Sequence, residues 1–159
     1  MAVSGIVHVN INCSDFDRSK IFYESLGFRE FYKVPETNTP EIAAAVGMPP
    51  YRVKGALMML VDDADGSRPF TIDLLQWLDP TDDEPPYPHL YHYGIARIAL
   101  HTTDMDADIK KLREVGAEFI SEPVQMPAST GSNARFVCFK DPDGTVLELV
   151  ENPTPRKIQ

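Results

Sequence analysis

Few side chains in this sequence have both the type and the setting to do chemistry. Glu148 lies in Leu147-Glu148-Leu149-Val150, an alternating apolar run where a carboxylate must find a partner. A carboxylate so placed is a general base, a metal ligand or half of an ion pair. Arg97, in Ala96-Arg97-Ile98-Ala99-Leu100-His101, offers a planar fork of donors suited to a carboxylate, an enolate or a phosphate. His101, two residues along, can serve as acid or base, or stand as a solvated histidine at a strand end. His8 reads either as a hydrogen-bonded structural histidine or as a ligand, while His89 and His92 read as surface residues. Cys13 and Cys138 each sit inside a strand-like run without framework spacing, which predicts buried free thiols rather than a bridge. There is no glycine-rich phosphate loop, no Cys-x-x-Cys pair and no Gly-x-Ser-x-Gly elbow. Asp62-Asp63-Ala64-Asp65-Gly66 and Asp143-Gly144 read as turns.

A repeat must position these groups. Val7-His8-Val9-Asn10-Ile11-Asn12 and Ala96 to His101 both alternate large apolar residues with other types, the pattern of a strand with one face in a core. An Asp-x-Asp pair follows each, Asp15 and Asp17 or Asp104 and Asp106, either member of which can cap a helix. The helical patterns Phe16, Ile21, Phe22, Leu26 and Met105, Ile109, Leu112, Val115 then close on Gly27 and Gly116. From His8 to Arg97, from Asp15 to Asp104 and from Gly27 to Gly116 the offset is 89 residues. Strand-like runs follow at about 28–34, 53–61 and 69–77, and again at about 118–120, 134–140 and 146–151. The reading is a β-α-β-β-β unit used twice. An insertion in the first copy, about 36–51, contains a short helix between Thr39 and Gly47, and it accounts for the shorter offset of 75 between Asp73 and Glu148. The predicted organisation is a first module over 1–78, an acidic, proline-rich linker over 79–93, a second module over 94–151 and a flexible tail over 152–159.

Composition narrows the class. The 159 residues are 43% hydrophobic and 25% charged, as in an ordinary globular protein with a sizeable core. Fifteen basic against 24 acidic residues leave a net charge of −9, which argues against nucleic acid or an anionic membrane as the main partner. No apolar run approaches a membrane span and the first residues lack the features of a signal peptide, so the expected location is the cytoplasm.

The doubled unit resembles the vicinal oxygen chelate superfamily, which includes glyoxalase I, methylmalonyl-CoA epimerase, extradiol dioxygenases, and fosfomycin and bleomycin resistance proteins. The resemblance rests on His8 to Asn12, Asp15, Ser19, Phe22-Tyr23 and Leu26-Gly27-Phe28 in the first copy. In the second it rests on Phe139-Lys140-Asp141-Pro142-Asp143-Gly144-Thr145-Val146 and the Leu147 to Glu151 strand. It covers nearly the whole chain apart from insertion, linker and tail. It implies an α+β fold in which two tandem modules form a cupped, barrel-like mixed sheet with the helices outside. It also implies that ligands for a divalent metal (nickel, zinc, manganese or iron) project from the first and fourth strands of each module. By position these are His8, Asp73, Arg97 and Glu148. Asp73 stands where a longer acid, amide or histidine is more usual. Arg97 stands where many members carry histidine, and a guanidinium has no lone pair to offer a metal. The implied metal set is therefore His8, Asp73 and Glu148, with His101 able to supply a missing ligand.

Strand alternation sets Asn10 and Asn12 on the face of His8, His101 on that of Arg97, and Leu75 and Trp77 on that of Asp73. The resemblance implies that these faces line the cup. The leading expectation is a glyoxalase-like lyase or isomerase that stabilises the enolate or oxyanion of a small carbonyl substrate. Glu148, Arg97 and His101 would be catalytic, and Arg97, Asn10 and Trp77 would bind substrate. An internal Arg97–Glu148 pair is the plainer reading of those two residues. The alternative function is a non-catalytic protein of the bleomycin-resistance kind that sequesters a small hydrophobic or aromatic molecule. The resemblance also implies a homodimer.

Overall fold

The computed structural model of the chain describes residues 5–60 and 70–152. The acidic run predicted to turn at 62–66 and the tail beyond Asn152 lie outside the described residues. The chain divides into two compact units between Glu84 and Pro85. Each is a mixed α+β unit built on one sheet, as the repeat requires.

The first unit runs β1 (Val9–Asn12), α1 (Phe16–Ser25), β2 (Phe28–Val34), α2 (Pro40–Ala45), β3 (Arg52–Leu60) and β4 (Phe70–Asp79). Its four strands lie in the order β1-β4-β3-β2, with β1 parallel to β4 and the other pairs antiparallel. The second unit runs β5 (Ile98–Thr102), α3 (Met105–Glu114), β6 (Glu118–Phe119), β7 (Val124–Gln125), a 3-10 turn at Ala128–Thr130, β8 (Arg135–Lys140) and β9 (Val146–Glu151). Its path is β5-β9-β8-β6, again with one parallel pair, β5 and β9, and with β7 added on β8. The sequence pattern had not indicated β7 or the 3-10 turn.

Local chemistry sets the helix ends. Of each Asp-x-Asp pair the first member caps: Asp15 accepts from the Arg18 amide and Asp104 from the Ala107 amide, both at 3.0 Å. The second members turn outward to cations, Asp17 to Lys54 at 2.6 Å and Asp106 to Arg135 at 2.9 Å. Gly27 and Gly116 follow the helices at φ 100° and 89°, conformations that glycine adopts without Cβ strain. In the insertion Thr39 caps α2 and Pro40 opens it, as predicted.

Each helix covers one face of its own sheet. In α1 the inward residues are Phe16, Ser19, Phe22 and Tyr23, and the Tyr23 ring meets Phe28 edge-on at 5.8 Å. Ile21, read from the sequence as part of the apolar stripe, is exposed instead. Five residues from Phe16 carry it roughly 140° around the helix, and Ser19 takes the inward position. In α3 Met105, Ile109 and Leu112 are buried as expected, over Val137, Phe139, Leu147 and Leu149. The face of each sheet turned away from its helix carries the residues of interest.

Candidate functional site

The two sheets place their polar residues in matching register. In the first, Asn10 lies opposite Asp73 and Leu57 flanks Asp73 from β3. In the second, Ala99 lies opposite Glu148 and Cys138 flanks it from β8. His8 and Arg97 each stand one residue before their strand, β1 and β5. Asp73 and Glu148 thus occupy the same position of the repeat, and their surroundings decide what each can do.

Glu148 is well supplied with donors. Its side chain is 11% exposed, and Oε2 accepts from Arg97 Nε and, at 3.6 Å, from Cys138 Sγ. The pairing of Arg97 with Glu148 anticipated from the sequence is therefore present. Its geometry carries further information, because only the Nε edge of the guanidinium is used. The terminal Nη groups of Arg97, whose side chain is 44% exposed, donate to no described residue, and Oε1 of Glu148 accepts from none. An arginine held by Nε keeps its terminal fork aimed elsewhere, ready for a second anion. Cys138, read from the sequence as a buried thiol, is half-buried, and neither cysteine forms a disulfide. Burial first, and then the neighbouring Glu148 carboxylate, push the Cys138 thiol above its ordinary value, so it stays protonated and donates. His101, opposite Val150 on the same face, is exposed and makes no hydrogen bond to a described residue.

Asp73 is poorly supplied. Leu57 occupies the place that Cys138 holds beside Glu148, and the Asn10 amide donates to the Asp73 backbone carbonyl at 2.8 Å rather than to its carboxylate. Oδ1 is buried without a partner among the described residues. Burial raises the Asp73 pKa above 3.8, and the charge of His8 offsets this in part. His8 itself is exposed. Farther along β4, Trp77 donates to Asn12 Oδ1 at 2.9 Å and its ring lies 5.0 Å from that of Tyr51. Sequence reasoning had missed both Tyr51 and Cys138. Tyr51 sits at the end of an insertion with no counterpart in the second module, and a cysteine in an apolar strand looks like packing.

Among the described residues no three His, Cys, Asp or Glu side chains form a group that could hold an ion. Of the implied set, His8 and Asp73 lie in the first unit, and Glu148, in the second, is paired with the Arg97 guanidinium. An open groove elsewhere on the second unit, lined by Ile109, Lys110, Arg113, Glu122 and Arg135, lies on the α3 side of the sheet. There Arg113 pairs with Glu122 at 3.3 Å, and Arg135 with Asp106 and, at 3.1 Å, with Glu151. His89 and His92 are exposed as expected, stacked on Tyr91 and Tyr87.

Comparison with known proteins agrees with this architecture. Residues 5–149 match the family model of the Glyoxalase/Bleomycin resistance protein/Dioxygenase superfamily. The chain is 31% identical over 152 residues to YwkD of Bacillus subtilis strain 168, an uncharacterised protein, covering 95% of this chain and 99% of that one. Among solved structures, a glyoxalase family protein from Bacillus cereus superimposes with a TM-score of 0.78 at 23% identity, over 97% of this chain and 99% of that one. The fosfomycin resistance protein FosX from Listeria monocytogenes, solved with Mn(II) and sulfate, gives 0.59 at 14% identity, over 94% and 93%. At these identities the structural likenesses establish the fold. Among the described residues no helix is long and apolar enough to cross a membrane.

Proposed function

Because the chain belongs to the Glyoxalase/Bleomycin resistance protein/Dioxygenase superfamily, we propose that it is a lyase or isomerase acting on a small carbonyl compound with an adjacent oxyanion, and that its own guanidinium supplies the positive charge. The observation that carries this reading is the one-edged pairing of Arg97 with Glu148, which leaves the Nη fork and Oε1 both free of described partners. The fork holds the substrate oxyanion and Oε1 takes a proton from the carbon beside the carbonyl. The C–H bond breaks, an O–H bond forms on Glu148, and the electron pair moves into the enolate, whose oxygen the guanidinium faces. Return of the proton to a neighbouring carbon gives an isomerase; loss of a leaving group from that carbon gives a lyase. His101, on the same face as Arg97 and without a hydrogen bond to a described residue, is assigned the proton relay in this proposal.

The test uses a 2-oxo acid, 2-oxobutanoate, as probe. Exchange of its C3 protons in deuterium oxide, followed by proton NMR, is expected with the native protein and lost in Glu148→Gln. Arg97→Ala is expected to weaken binding of the probe. Binding without exchange in the native protein would refute the lyase or isomerase reading.

The half-exposed Tyr51–Trp77 pair, on the same face of β4 as Leu75, favours a second reading in which an aromatic or hydrophobic molecule is captured without turnover. A homodimer working in a reducing cytoplasm is part of the same proposal, and two cysteines without a disulfide are consistent with that compartment.

A further inference from the structure

Cys138 has no part in the mechanism above, yet it touches the residue at its centre. It lies directly opposite Glu148 on the neighbouring antiparallel strand, the closest side-chain relation a sheet provides. Its sulfur is 3.6 Å from Oε2, the same oxygen that takes Arg97 Nε. Two donors from two different elements converge on one carboxylate oxygen, and none of the described residues reaches the other. We propose that Cys138 is a positioning residue for proton transfer at Glu148, its thiol and the Arg97 Nε together fixing Oε2 so that Oε1 is the oxygen presented to substrate. The inference rests on the reading of Glu148 as a base. A carboxylate held by Arg97 alone would swing about that single bond and offer either oxygen, whereas a second donor from across the strand pair removes that freedom. The other ionisable groups on this face, among the described residues, are His101 on β5, Lys140 at the end of β8 and Glu118 opposite it on β6. Lys140 is drawn to Glu118 at 2.7 Å and does not compete for Glu148.

Two measurements on the full chain test this. The first is the pH dependence of Cys138 alkylation by iodoacetamide, read at that residue by peptide mass spectrometry. Glu148→Gln removes the neighbouring negative charge and is expected to raise the rate at pH 8 several-fold, while Arg97→Ala should lower it. An unchanged profile in Glu148→Gln would mean that the thiol and carboxylate do not meet in solution, and the proposal would fall. The second is the exchange of 2-oxobutanoate protons. Loss of one of two hydrogen bonds on Oε2 predicts a roughly fivefold slower exchange in Cys138→Ala with probe affinity unchanged, and recovery in Cys138→Ser, whose hydroxyl restores the donor. Native-rate exchange in Cys138→Ala, beside an inactive Glu148→Gln, would overturn the positioning role and leave the base intact. Absence of exchange in the native protein would overturn the functional reading and with it this role, while the alkylation profiles still report whether the contact exists.

Discussion

Removing one partner of the Arg97–Glu148 pair should cost more than removing the other, and the structure gives the direction. Arg97→Ala strands a carboxylate whose side chain is only 11% exposed, whereas Glu148→Gln strands a guanidinium that is 44% exposed and readily hydrated. Exposed pairs contribute about 0–1 kcal/mol, while truncating one partner of a buried pair costs about 3–5 kcal/mol. With one exposed partner, and with the Cys138 thiol still donating to the stranded oxygen, Arg97→Ala falls between these limits at about 2–3 kcal/mol. Glu148→Gln keeps the shape and loses one charge-assisted bond, about 1 kcal/mol. The double variant removes the stranded charge and should cost about 1.5 kcal/mol, well below the sum of the singles, a coupling of about 2 kcal/mol. Urea denaturation followed by circular dichroism gives all four stabilities. A Glu148→Gln variant that loses as much as Arg97→Ala, or a double variant equal to the sum of the singles, would refute the account of a desolvated carboxylate held by an exposed guanidinium.

Other expectations follow from the same geometry. Burial raises the Asp73 carboxyl above 3.8, so the folded chain keeps a proton that the unfolded chain has released, and stability falls as pH rises through that window. Asp73→Asn is blind to that window, so its stability relative to the native protein should improve from pH 3.5 to pH 7; urea midpoints at the two values decide, and a constant difference would contradict the assignment. Gly55→Ala would set a Cβ 2.4 Å from Leu75 Cδ2 and 2.5 Å from the Leu74 carbonyl, and because one of these is backbone the strand must shift. A loss of about 2 kcal/mol or more in thermal or urea denaturation is expected. Asp104→Ala should cost about 1 kcal/mol by freeing the Ala107 amide, with Asp104→Asn close to native in the same assay.

Much of this protein was legible in the sequence because the signals are local and occur twice. Strand alternation, an aspartate cap and a glycine stop depend on neighbours along the chain, and a constant offset of 89 residues ties them into one unit. The insertion helix was legible for the same reason, since Thr39 and Pro40 act within one turn. The face shared by Arg97 and His101 followed from the two-residue period of a strand. What the sequence left open was settled by groups that meet from different strands. Whether Asp73 and Glu148 would behave alike depends on what β3 and β8 set beside them, and leucine in one place and cysteine in the other make one an orphan and the other a held carboxylate. The outward turn of Ile21 in favour of Ser19 was likewise decided by packing against the sheet, which responds to geometry rather than to hydrophobicity alone. Local rules along the chain dictate which residues form strands and helices. The edge of Arg97 that Glu148 takes, and the fork it leaves free, depend on the register between strands, which only the folded sheet supplies.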